Sequence, residues 1–196
     1  MTERPLPANH ELASKVQRAI AKIVFGMIMV TVVPAVLLIS AIVNNGKPIE
    51  VGKPIPEFVL LDQNSERVST ADYLGHWCLV YFYNESRADG LIQARRFRES
   101  YNDFRKLDLD LVGISYDSIA SHHQFAEQLN ISHHLLSDPE GEVIEEYSAH
   151  TSMTKMTKNI SYLVDEKGIV QKVYIDLPAE QQVHLVMKDI REFKHL

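Results

Sequence analysis

The chain has 196 residues, a formal net charge of −6, 45% hydrophobic and 23% charged residues, which bounds it to one globular domain with an appendage at about 150 residues per domain. Residues 1–22 hold Arg4, Lys15, Arg18 and Lys22 against Glu3 and Glu11, so the remainder carries −8; an acidic domain without a basic stripe excludes nucleic acid as its main partner, because phosphate binding needs clustered cations. A single cysteine, Cys78, excludes an intrachain disulfide, a Cys-x-x-Cys redox pair and a zinc site built mainly from thiolates.

From Ile23 to Val43 the sequence runs 21 residues without a charge, roughly 30 Å as a helix and so the depth of a bilayer's hydrocarbon core. Gly26 and Pro34 are tolerated in such a helix, where no water competes for the freed carbonyl. A cleaved signal peptide has an apolar core of about 7 to 15 residues ending in a small-x-small site, which Ser40, Ala41 and Ile42 fit poorly. The expectation is a cytoplasmic tail over 1–22, one transmembrane helix over 23–43 and a Pro/Gly-containing linker over 44–56. Lys15, Arg18 and Lys22 before the span outnumber Lys47 and Lys53 after it, which orients the N-terminus inward and the following domain, 57–196, toward the periplasmic or exoplasmic side.

Within 57–196, FVLLDQNSERVS predicts two short strands about a turn at Asp62–Ser65, and ADYLG a helical turn closed by Gly75. CLVYFYN, Cys78–Asn84, is an uninterrupted apolar and aromatic run that predicts a central strand covered on both faces. Leu91, Ala94, Phe97, Tyr101 and Phe104 recur at helical spacing. LDLVGISY, 109–116, predicts another buried strand, and Asp117 and Ser118 offer caps for a helix through Leu129. A short apolar piece at Leu135–Leu136, a turn at Ser137–Gly141, a small helix to Tyr147, a hairpin in ISYLVDEKGIVQKVYI and a helix with Val183, Val186, Met187, Ile190 and Phe193 on one face complete the series. Alternating strands and helices followed by a hairpin define an α/β fold with a mixed sheet flanked by helices.

The order GKPIPEFVLLDQNSERVSTADYLG, VYFYN, VGISYDSIASHHQFAEQ, LLSDPEGEVIEEY and SYLVDEKGIV resembles, from Val51 to Phe193, a thioredoxin fold of the peroxiredoxin type. It is most similar to the bacterioferritin comigratory protein branch of the alkyl hydroperoxide reductase and thiol-specific antioxidant family. In that family the central strand leads into a loop, Pro-x-x-x-Thr-Pro-x-Cys, and a helix begins near the cysteine. A helix N-terminus and a nearby cation lower a thiol's pKa and favour the thiolate that attacks peroxide, and the threonine and a distant arginine orient the peroxide and stabilise developing negative charge.

The resemblance places NESRADGLIQARRF on this loop, with Ala88 at the threonine, Asp89 at the second proline and Leu91 at the peroxidatic cysteine. Arg96 falls where some members carry a resolving cysteine, and Asn159, beside Lys158, where the arginine stands. Leucine has no electron pair for attack, and Asp89 would raise the pKa of a thiol placed nearby. Cys78 opens the central strand, a position that reads as a small buried hydrophobe, so its use as a redox thiol is the lesser reading. His122 and His123, and His133 and His134, form two adjacent pairs; neighbours point in different directions on helix or strand, so these read as solvated or capping histidines, with His122 on a surface helix. Arg87, Arg95, Arg96, Arg98, Arg105 and Lys106 read as a solvated face with local pairs such as Arg95 with Glu99. The sequence therefore predicts a membrane-anchored, noncatalytic peroxiredoxin-like module with a protein partner at the membrane, no cofactor and no metal. Beside it stand a divergent thiol peroxidase using Cys78 or a partner's thiol, and a metal-delivery protein on His133 and His134. Copper chaperones of cytochrome oxidase share the anchored thioredoxin-fold architecture but need a cysteine pair.

Overall fold

The computed structural model describes residues 9–27, 46–151 and 154–196, in two compact units, Met1–Asn45 and Gly46–Leu196. In the first, α1 spans Asn9–Met27, where Ala13, Lys15, Gln17, Ala19, Ala21 and Lys22 favour helix. Val16, Ile20, Ile23, Val24 and Phe25 are exposed on it. No helix among the described residues is long and apolar enough to cross a membrane, and residues 28–43 of the expected span lie outside those described.

The second unit carries β1 (Val59–Asp62), β2 (Arg67–Ser69), a 3-10 turn (Thr70–Tyr73), β3 (Trp77–Phe82), α2 (Ala88–Lys106), β4 (Leu109–Ser115), α3 (Ile119–Leu129), β5 (His134–Ser137), α4 (Glu142–Glu146), β6 (His150–Thr151), β7 (Thr154–Thr157), β8 (Ile160–Val164), β9 (Val170–Ile175) and α5 (Ala179–Lys194). Seven strands form one sheet in the order β2-β1-β5-β4-β3-β8-β9. The helical crossovers α2 and α3 make β3, β4 and β5 parallel neighbours, while the hairpin sets β9 antiparallel to β8, as crossover and hairpin connections require. A separate two-stranded ladder, β6 with β7, was not anticipated from sequence. Within the segment read as a linker, Gly52 and Ile55 donate to Val170 O and Gly168 O at 2.8 and 3.0 Å, and Lys53 O accepts from Val170 N.

All six residues of β3 are buried, and strand alternation divides them between two cores. Trp77, Leu79, Tyr81 and Tyr83 face Phe97 and Phe104 of α2 and Val186 and Ile190 of α5. Cys78, Val80 and Phe82 face the opposite layer, with Phe58, Val143, Tyr147 and Tyr162. This division decides which residues share a site.

Candidate functional site

The central strand delivers Tyr83 and Asn84 to the N-terminus of α2. Asn84 Oδ1 accepts from the Ser86 N–H at 3.0 Å and the Ser86 hydroxyl at 2.6 Å, a side-chain turn typical of asparagine. The first helical turn then settles onto the strand end: a Cβ on Gly90 would lie 2.0 Å from the Asn84 carbonyl oxygen, so only glycine fits. Asp89 accepts the Gly90 N–H and receives a two-pronged contact from Arg87 Nε and Nη2 at 2.9 and 3.0 Å. The Arg87 hydrogen bonds hold the Asp89 carboxyl below its ordinary range, and its negative charge complements the helix N-terminus.

One turn further on, Gln93 is almost wholly buried. Its amide nitrogen donates to Asn159 Oδ1 at 3.0 Å and Gln182 Oε1 at 2.9 Å, Gln182 donates to Ser161 Oγ at 2.6 Å, and Asn159 donates to Leu177 O at 3.2 Å. Neutral amides thus tie α2, β8 and α5 together. The cleft bounded by Asn84, Arg87, Asp89, Gln93, Thr157 and Asn159 has a volume of about 10 Å³, room for one water.

Of the residues that sequence singled out here, Asp89 and Asn159 line the cleft. Ala88 is exposed. Leu91 packs against the α2-side core. Arg96 pairs with Glu99 at 3.1 Å and approaches Glu180 at 3.8 Å, which corrects the expected Arg95–Glu99 pair, while Lys158 donates to Ser148 O. Cys78 is 1% exposed, in the core on the other face of the sheet from α2. Burial, with Asp110 adding, pushes its thiol well above the ordinary range.

The histidines are not solvated as a set. His122 is fully buried on α3: Glu85 Oε1 lies 2.6 Å and the Tyr83 hydroxyl 3.0 Å from Nδ1, and Leu136 O 3.2 Å from Nε2. Ser121 Oγ donates to the second Glu85 oxygen at 2.7 Å. These contacts anchor the β3–α2 loop on α3. His133 is also buried, its Nε2 2.8 Å from the Tyr81 hydroxyl and its Nδ1 without a partner, whereas His134 meets Asp62. The described residues contain no group of three or more metal-ligating side chains placed to hold an ion.

The AhpC/TSA family matches residues 51–173, and the chain belongs to it. Peroxiredoxin Bcp of Escherichia coli K12 is 30% identical over 152 residues, covering 74% of this chain and 97% of its own. Chloroplastic peroxiredoxin Q of Sedum lineare is 36% identical over 146 residues, covering 73% and 78%. Among solved structures, peroxidoxin BcpB of Mycobacterium tuberculosis superposes with a TM-score of 0.69 at 21% identity, over 74% of this chain and 97% of that one. A mutant of PrxQ from Xylella fastidiosa gives 0.70 at 16% identity, over 76% and 99%. The fold is therefore the thioredoxin-like peroxiredoxin fold of the Bcp/PrxQ type.

Proposed function

We propose that this chain is a membrane-tethered member of the family that has no peroxidase chemistry of its own and serves as an interaction or assembly module for a protein at the membrane. The observation that carries the reading is the separation of thiol from site. The first turn of α2 presents Asp89 and Leu91, and the sole thiol of the chain, Cys78, is buried on the opposite face of β3. Neither a low pKa nor access to peroxide, the two requirements of a reactive cysteine, is met by Cys78. The uncharged run over 23–43 supports the tether, and the lysine and arginine bias before it supports an exoplasmic domain.

The test is peroxide consumption by the purified full chain with thioredoxin or dithiothreitol as reductant, for hydrogen peroxide and organic peroxides. No turnover is expected, with Cys78→Ser indistinguishable from the parent. Turnover that Cys78→Ser abolishes would overturn the reading in favour of a divergent peroxidase. Added protease should cut the C-terminal domain in intact spheroplasts; protection of the domain there refutes the orientation.

A further inference from the structure

On the Cys78 side of the sheet, away from the α2 cleft, a groove of about 490 Å³ opens between the β1–β2 hairpin, the 3-10 turn and the β8–β9 turn. Its size falls within the range of small-ligand sites, roughly 300 to 1,000 Å³. Ile55, Phe58, Val59 and Leu74 supply an apolar lining, and Val59 and Leu74 are left 50% and 55% exposed. Arg67 on one wall and Lys167 on another are exposed, and neither forms a close ion pair with a carboxylate among the described residues; Glu57 lines the groove, and Asp72 on the 3-10 turn acts on Arg67 only at longer range. Beneath it lies a narrow apolar slot that shares Ile55, Phe58 and Leu74 and is bounded by Tyr73, whose buried hydroxyl has no hydrogen-bond partner.

We propose that this groove binds a single-chain amphiphile with a carboxylate head, a long-chain fatty acid, its tail against Val59, Phe58 and Leu74 and its head between Arg67 and Lys167. The apolar lining gains from burying methylenes, and two exposed cations with no carboxylate in close contact gain from an anion. A neutral amphiphile would leave both cations unused, and a zwitterionic phosphatidylcholine would set its own cation against them. The proposal concerns a binding site independent of the α2 cleft and does not rest on the noncatalytic reading.

The test uses the full chain in phosphatidylcholine vesicles with a diazirine-bearing palmitic acid, followed by mapping of the labelled peptides. Labelling is expected within residues 54–74 and around Lys167, competed by palmitate at least tenfold better than by laurate or hexadecanol. The double reversal Arg67→Glu with Lys167→Glu, both at exposed positions, should reduce it at least tenfold while Trp77 fluorescence reports an intact fold. Equal competition by hexadecanol, unchanged labelling in the double variant, labelling confined to residues 23–43, or equal labelling of the groove by a diazirine phosphatidylcholine would each overturn the proposal.

Discussion

His133 gives the fold a calculable sensitivity to acid. Burial, with His134 nearby, lowers its pKa from 6.5 to about 3, because the interior offers the charged ring no solvation. The native state therefore refuses a proton that the unfolded chain accepts. Stability from this source is complete above about pH 6.5 and is lost as pH falls from 6.5 toward 3, where the folded ring titrates as well. At about 1.4 kcal/mol per pH unit once the unfolded histidine is protonated, the loss between pH 7 and pH 5 is about 2 kcal/mol. His133→Phe keeps a flat ring beside Tyr81 and Tyr101 but removes the titrating nitrogens. It also strands the Tyr81 hydroxyl, whose hydrogen-bond partner is His133, at a cost of about 1 to 3 kcal/mol at neutral pH. Urea unfolding followed by the fluorescence of Trp77, the single tryptophan, buried and stacked on Phe193, gives stability against pH for both chains. The wild-type curve should fall toward pH 5 by about 2 kcal/mol more than that of His133→Phe. Parallel curves would refute the account.

Gly90→Ala should cost about 3 kcal/mol in urea unfolding, since its methyl would meet the Asn84 carbonyl oxygen at 2.0 Å; a loss under ~0.5 kcal/mol would mean the turn yields freely. Glu85→Ala removes the acceptor shared by His122, Ser121 and Tyr83 and should cost about 3 kcal/mol while quickening proteolysis at residues 84–88; an unchanged cleavage rate there would show that the loop is held by other contacts. Leu91→Cys in a Cys78→Ser background should show no peroxide turnover and a pH midpoint for alkylation at or above about 8.5, the value of an unactivated thiol. A midpoint below about 7 would show that the α2 N-terminus still activates sulfur despite Asp89.

Most of the sheet was legible because its strands are apolar runs with clear breaks. Trp77–Phe82 and Leu109–Ser115 carry almost no polar interruption, and Ser118 caps α3 by accepting the Ser121 N–H. The β6–β7 ladder was not legible, because its strands, His150–Thr151 and Thr154–Thr157, are short and mostly polar with no alternating pattern. The buried histidines divide on the same ground. His122 lies on the apolar stripe of α3 with Ile119, Phe125 and Ala126, so helical spacing held the signal for its burial, against the expected place on a solvated surface helix. Its partner Glu85 is 37 residues away, and the Gln93–Gln182 contact spans 89. No periodicity reports such pairings, since they exist only once the crossovers place α2, α3 and α5 against the sheet.

The residues around the α2 N-terminus are consistent with one another in charge. A thiolate there would need the positive end of the helix and a cation free to face it. Here Asp89 already occupies the helix end and engages Arg87 through both carboxylate oxygens, so the positive potential is neutralised locally. On the facing wall, Asn159 meets Gln93 through an amide hydrogen bond, and the nearest basic neighbour in sequence, Lys158, is committed to the Ser148 carbonyl. A neutral amide network suits a buried site with no anion to balance, because an unpaired buried cation would be costly. Leu91 then adds apolar contact to the core. Removing any one of these features leaves the others opposed to thiolate formation at this helix end.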